Sequence, residues 1–283
     1  MTVDTMIRFH TAAMLAVSFF LATAAAESLE EGRPCELRVE SELFAGAAEP
    51  VARSLTLFHD GLAWDFLDAP KAANVDSAVA EIVLHDPARE RVVVIDPERR
   101  VKTQVDLIRL ERLSVSLAKW ARSNDDRLVR WAGGPDFASG FTEDDDRMEL
   151  VGPRVRYAVA YDEAPCAEAA EQYRRFADTA ILLKALMQPG GIPPFPRLAV
   201  NRRLNDAQAI PREVTLEVES RLSPLGGRPE KMRCVHRVHP RLLAEDLDRI
   251  ENAKAHVAAA EAIDLAAFID REPEPSRLVK KGP

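Results

Sequence analysis

The sequence predicts an α+β protein built on one large curved antiparallel sheet, an unclosed half-barrel with helices packed on one face. Three observations favour this class. Short apolar runs joined by tight turns fill the first half of the chain, long helical patterns follow, and strands return after them. The 283 residues are 47% hydrophobic and 30% charged, so the chain can bury a sizeable core.

The first half of the chain has the pattern of an antiparallel meander that begins at residues 36–45. The pair Asp60-Gly61 then separates two apolar runs and predicts a hairpin with a two-residue loop. This loop sets the register, so one side of the hairpin becomes strongly apolar. The residues on that side form three cross-strand pairs, His59 with Leu62, Leu57 with Trp64 and Leu55 with Phe66.

Two proline turns continue the sheet, at Asp86-Pro87 and Asp96-Pro97. Each places Asp first and Pro second, as type I turns prefer. The run Val92–Ile95 is apolar at every position, which indicates that both sheet faces are partly covered or that one lines a cavity. With five-residue loops at both turns, the residues expected on one face are Val83, Val93, Ile95, Val101 and Val105.

Two helices are predicted over residues 106–122 and 164–187, where apolar side chains recur every three or four positions. Pro165 suits the first turn of the second helix, and Pro189-Gly190-Gly191 ends it. The remaining expected elements are strands near 137–142, 147–151 and 154–161, a short helix near 196–207, strands at 213–221 and 231–238, and a helix over roughly 240–260.

No linker divides the chain, so we expect a single α+β domain over residues 27–270. The Pro/Gly stretch 188–196 is the best candidate boundary, but the strands after it are expected to rejoin the same sheet. Residues 271–283 have little to bury and are expected to form a disordered tail.

The N-terminal segment has the order of a bacterial export signal. Arg8 precedes the apolar stretch Ala12–Leu21, which is too short to span a bilayer core of about 30 Å, and Ala24–Ala26 follows. We therefore expect residues 1–26 to be a signal peptide cleaved after Ala26, with the protein in the periplasm or secreted. An uncleaved anchor is the alternative.

The net charge limits the classes of binding partner, and the cysteines raise the question of a disulfide. The 38 Lys and Arg against 46 Asp and Glu give a net charge of −8, which argues against a nucleic-acid or anionic-membrane binder with a general basic face. No later segment is apolar for long enough to cross a bilayer. Cys35, Cys166 and Cys234 would meet an oxidising compartment, where one pair could form a disulfide; three separate thiols are the favoured interpretation.

No sequence motif assigns a reaction. His59-Asp60 and His85-Asp86 resemble metal-ligand dipeptides, but both precede tight turns that their Asp residues are expected to cap. Cys234 and His236 share one face of a predicted strand, whereas His239 falls on the other, and no fourth ligand is evident. The sequence therefore predicts no catalytic residue, no metal ligand and no cofactor.

The order of these elements resembles the LolA/LolB-like superfamily of periplasmic lipoprotein carriers. The resemblance rests on the HDGLAWDF hairpin, the VVVIDPERRVKTQV strand pair, the helix after it and a late strand led by Ile210-Pro211, over roughly residues 36–240. The run Leu186–Asn201 is also similar to one in bacterial exported proteins of unknown function. The superfamily resemblance implies an unclosed barrel whose concave apolar side holds acyl chains under helices. It also implies a buried arginine that controls a lid, and no arginine here matches that position.

Together these observations predict an exported, non-enzymatic binding module for a lipid, a lipoprotein or another apolar ligand. Helices 106–122 and 164–187 are expected to roof its cavity. One alternative is a cell-envelope structural or interaction protein whose own side chains fill the sheet face. Another, less favoured, is a hydrolase built from dispersed carboxylates and His236. The expected ligand-lining residues are Leu55, Leu57, Trp64, Phe66, Val83, Val93 and Ile95.

Overall fold

A computed structural model describes residues 35–68, 79–219 and 230–270. The expected signal peptide and the expected C-terminal tail both lie outside these ranges. Within them, the chain forms one twelve-stranded sheet and six α-helices. None of these helices combines the length and the apolar character needed to cross a bilayer.

The elements follow one another as two meanders separated by helices. The strands are β1 (Leu37–Ala45), β2 (Ala52–His59), β3 (Leu62–Asp68), β4 (Val79–Asp86), β5 (Arg91–Asp96), β6 (Val101–Asp106), β7 (Phe141–Asp144), β8 (Arg147–Gly152), β9 (Val155–Glu163), β10 (Ala209–Val218), β11 (Glu230–His239) and β12 (Glu261–Ala262). The helices are α1 (Leu107–Arg122), α2 (Arg127–Ala132), α3 (Ala167–Met187), α4 (Phe195–Asp206), α5 (Ala244–Ala259) and α6 (Leu265–Ile269).

The sheet has the order β12-β6-β5-β4-β3-β2-β1-β11-β10-β9-β8-β7. All neighbouring strands are antiparallel except the short β12–β6 pair. Because β1 pairs with both β2 and β11, the strands after residues 188–196 rejoin the sheet of the first half, as predicted. The end strands β7 and β12 lie at opposite edges, so the sheet is open. The α+β class and the open antiparallel sheet are confirmed.

The β2–β3 hairpin has the predicted register. Leu57 pairs with Trp64 and Leu55 with Phe66. Asp60 and Gly61 both have positive φ, 50° and 73°, as a two-residue hairpin loop requires.

The two proline turns are one residue shorter than predicted. Four residues, not five, separate the paired strand ends at both turns, and Glu90 closes the first with a left-handed φ of 51°. A shift of one residue moves every side chain to the other face of a strand. The expected common face is therefore wrong: Val92 and Val94 share a face with Val83, Val101 and Val105, and Val93 and Ile95 lie on the opposite one.

Helices cover both faces of the first meander. On one face, here called the helical face, α1, α3 and α6 pack over a cluster that contains Val83, Val94 and Val105. On the other face, α5 contributes Ile250 and Ala253 to a cluster with the β2–β5 strands. The sequence predicted helices on one face alone, so the position of α5 differs from that prediction.

A disulfide joins Cys35, just before β1, to Cys166, just before α3. The bridge spans 131 residues and ties the start of α3 to the centre of the sheet. Cys234 is a free, partly buried cysteine on β11. The favoured interpretation of three separate thiols is therefore wrong, and the single-disulfide alternative describes the structure.

Candidate functional site

A cavity of about 380 Å³ lies on the helical face between the sheet, α1 and α3, and is called the α1/α3 cavity. Its size falls within the range of small-molecule sites. Strand residues form its floor and the two helices form its walls. Its apolar lining includes Phe58, Leu62, Ala63, Val92, Leu107, Leu110, Phe176 and Leu182.

A second cavity of about 440 Å³, called the α3/α6 cavity, lies on the other side of α3. Its lining combines the acidic side chains Asp65 and Glu81 with apolar ones such as Val83 and Leu183. His85 lines both cavities. The floor beneath α3 therefore has one histidine at the junction of the two spaces.

His85 is a buried polar side chain without a hydrogen-bond partner for either ring nitrogen among the described residues. Its ring packs edge-on against Phe176, with 4.8 Å between the centroids. Burial lowers the pKa of His85 to about 3, so the ring is neutral at pH 7 and has one donor and one acceptor. An unpaired buried polar group costs about 1–3 kcal/mol, so a ligand group that pairs with His85 would recover that energy.

Gln172, on α3, is a second residue of the α1/α3 cavity with a polar atom that lacks a hydrogen-bond partner. Its side-chain oxygen is buried and has no partner among the described residues. His85 reaches the cavity from the sheet and Gln172 from the helix. The lining thus combines apolar and charged side chains with two residues whose buried polar atoms have no described partner.

The cations that line the α1/α3 cavity already have acidic partners. Arg91 lies 3.1 Å from Asp86, and Arg174 and Arg175 lie 2.9 and 2.7 Å from Glu171. A carboxylate or phosphate ligand would have to displace these partners. The pairing of these arginines therefore disfavours an anionic ligand.

Asp65 gives the α3/α6 cavity a different character. Its carboxyl group accepts a hydrogen bond from Thr56 Oγ1 at 2.8 Å. Burial, with a smaller contribution from the charge of Glu81, raises the pKa of Asp65 to about 6. Asp65 is half-buried and lines the cavity, and with this raised pKa its carboxyl group takes up a proton at mildly acidic pH.

The structure does not bring the predicted ligand-lining residues together around a cavity. Of the predicted ligand-lining residues, Val83 lines the α3/α6 cavity. The other predicted residues pack as a core against Ile250 and Ala253 of α5, with Phe66 and Ile95 also bordering open clefts beside that helix. These core residues are Leu55, Leu57, Trp64, Phe66, Val93 and Ile95.

Sequence reasoning missed His85 as a cavity residue because it was considered only as part of a turn dipeptide. Asp86 does cap that turn, since its carboxylate accepts a hydrogen bond from the Arg89 backbone N–H at 3.2 Å. His85, however, lies two residues after Val83 on β4, so both side chains lie on the helical face. The signal in the sequence was a histidine within the apolar run of β4, which indicates a buried polar side chain.

His85 and His236 are the buried histidines of the described ranges, and His236 lies on a strand of the sheet. Its Nδ1 lies 2.8 Å from Ser41 Oγ on the neighbouring strand, and burial lowers its pKa to about 3. Neither His236 nor Ser41 lines the cavities described above. Among the described residues, no group of three His, Cys, Asp or Glu side chains is placed to hold a metal ion.

No family model matches this sequence, and no curated protein matches it at a significant level.

Proposed function

We propose that this protein binds a small apolar molecule of the lipid or acyl-chain class in the α1/α3 cavity, without catalysing a reaction. One observation carries the proposal: a cavity of about 380 Å³ with a largely apolar floor is lined by His85 and Gln172, whose buried ring nitrogens and side-chain oxygen have no described partner. Natural proteins pair nearly all such groups, so their orphaning points to a partner that enters the cavity. The expected export signal and the resemblance to lipoprotein carriers agree with a binding role.

The ligand's polar group is uncharged in this proposal. His85 and Gln172 can pair with an alcohol, an ester, an amide or a protonated acid, and the arginines of the cavity have acidic partners. The apolar walls supply the affinity. Since each buried methylene contributes about 0.8 kcal/mol, binding should tighten about fourfold per methylene until the cavity is full.

Displacement of a fluorescent lipid by a series of n-alkyl alcohols tests the proposal. A matched series of n-alkyl carboxylates at alkaline pH should bind more weakly. Ala63, on the cavity floor, offers a blocking variant, because Ala63→Phe places a ring in the space. Ala258→Phe, at an exposed position on α5, is the matched control.

Saturable displacement that Ala63→Phe abolishes and Ala258→Phe retains, with the fold intact by circular dichroism, would support the cavity. A well-folded wild-type protein that binds neither series would overturn the lipid proposal. The alternative of a structural or interaction protein of the cell envelope would then take its place.

A further inference from the structure

The outward side of α1 carries apolar and basic side chains in a single stripe. Ile108, Arg112, Val115, Lys119 and Arg122 follow one another at spacings of four, three, four and three residues, so they lie along one line of the helix. All five are exposed, with Ile108 at 52% and Val115 at 71%. This set is called the α1 stripe.

The orientation of α1 is fixed by its other side. Leu110 and Ala121 are buried in the protein, which directs the α1 stripe outward. Trp120 lies about 100° around the helix from Lys119 of the stripe and is 50% exposed. Three large apolar side chains of α1 are therefore in contact with solvent, on sides of the helix that do not pack against the protein.

The charge around the stripe is opposite in sign to that of the whole chain. Residues 107–132 hold six basic against three acidic residues, a net charge of +3, whereas the chain carries −8. Within the described part of the chain, no carboxylate lies within salt-bridge distance of a cation of α1, in contrast to Arg174 and Arg175 on α3. The basic residues are Arg109, Arg112, Lys119, Arg122, Arg127 and Arg130.

Exposed aliphatic side chains, a tryptophan and cations without a described acidic partner, all on one helix, are typical of helices that lie at a lipid surface. The cations are attracted to anionic headgroups, and the apolar side chains enter the boundary between headgroups and acyl chains. A nucleic-acid site would use the cations but would leave Ile108 and Val115 in water. The net charge of the chain is an average over its whole surface, so it does not reveal this local reversal of sign.

We propose that the α1 stripe, with Trp120, docks this protein on the surface of a bilayer that contains anionic lipid. Docking would place the α1/α3 cavity close to the membrane, because Leu107 and Leu110 of the same helix line that cavity. The docking surface is independent of what the cavity binds, so vesicle binding and ligand binding can each fail alone.

Vesicles of phosphatidylcholine with and without phosphatidylglycerol test the proposal. The double variant Arg112→Gln/Lys119→Gln should bind anionic vesicles about 30-fold more weakly at low salt, since each cation near such a surface contributes about 1 kcal/mol. The matched control, Arg202→Gln/Arg241→Gln, removes two exposed cations elsewhere and should bind as the wild type does. Vesicles of phosphatidylcholine alone measure any contribution of the N-terminal apolar segment, which all variants share.

Tryptophan fluorescence gives a second measurement. Trp64 is buried and Trp131 is half-buried, so Trp120 should give most of the blue shift on binding, and Trp120→Phe should lose it. Three results would overturn the proposal. The first is equal affinity for neutral and anionic vesicles, and the second is an equal loss of affinity in the control variant. The third is a protein that binds neither kind of vesicle but self-associates or binds a mixed-sequence oligonucleotide, and loses that binding in Arg112→Gln/Lys119→Gln.

Discussion

Replacing His85 with leucine should stabilise the ligand-free protein. His85 is 6% exposed, and neither of its ring nitrogens has a described partner. It lies among apolar side chains that include Phe176 and Val92. Since an unpaired buried polar group costs about 1–3 kcal/mol, leucine should raise stability by that amount. For a domain of this size the gain corresponds to roughly 2–12 °C in Tm.

The advantage of His85→Leu should increase in acid. Burial lowers the pKa of His85 from 6.5 to about 3 in the folded protein. Because the folded pKa lies below the unfolded one, the unfolded chain binds more protons as the pH falls below 6.5, and stability is lost in that window. Between pH 7 and pH 5 the loss is about 2 kcal/mol for one such histidine, and the variant avoids it. His236 remains in both proteins, so the difference isolates His85.

Urea denaturation at pH 7 and pH 5, followed by circular dichroism, measures both effects. His256→Leu is the control, because His256 is exposed on α5 and should give no comparable gain. If His85→Leu is less stable than the wild type, or has the same pH dependence, then His85 is paired in the folded protein and the reasoning fails. The same variant should bind alkyl alcohols more weakly, since it removes a hydrogen-bonding group from the cavity.

Three further changes test the packing of α5, the disulfide and the carboxyl group of Asp65. Ile250→Ala should cost about 2–5 kcal/mol in urea denaturation, because Ile250 is buried between α5 and the sheet, whereas Leu247→Ala on the exposed side should cost little. Replacing Cys35 and Cys166 with serine should lower stability by about 2–4 kcal/mol, with an upper limit near 5 set by the 131-residue separation. Asp65→Asn should stabilise the protein by up to about 3 kcal/mol at pH 7.5 and by much less at pH 4, because the folded pKa of about 6 lies above the unfolded 3.8 and stability is lost as the pH rises through this window.

Each of these expectations has an outcome that contradicts it. If Ile250→Ala and Leu247→Ala lose equal stability, then α5 does not pack against the sheet through Ile250. A wild-type protein whose stability is unchanged by dithiothreitol would contradict the disulfide, and Cys234→Ser serves there as the neutral control. An Asp65→Asn variant with the pH dependence of the wild type would show that the carboxyl group is well hydrated.

Local chemistry was enough to predict several elements. The Asp60-Gly61 loop determines the β2–β3 register, because two residues with positive φ permit one way of pairing the strands. The helices expected over 106–122 and 164–187 occur as Leu107–Arg122 and Ala167–Met187. In both, a repeated apolar spacing makes one side of the helix suitable for burial, and that spacing is visible in sequence.

The proline turns show where local chemistry becomes ambiguous. An Asp-Pro turn is compatible with loops of four and of five residues, and the difference reverses every side chain of the following strand. That one residue separated Val83 from Val93 and Ile95 and made the expected face wrong. Glu90, which adopts left-handed φ to close the shorter loop, carries no signal for it in sequence.

By itself the sequence determined that the strand Val92–Ile95 is apolar on both faces, which required each face to be partly covered or to line a cavity. Only the tertiary structure decided which helix covers each face: α5 fills the side with Leu57 and Trp64, and α3 leaves cavities on the side with His85. The physical reason is that an apolar pattern reports the need for burial, which is local. The element that meets this need, and the space left over, depend on contacts between residues far apart in the chain.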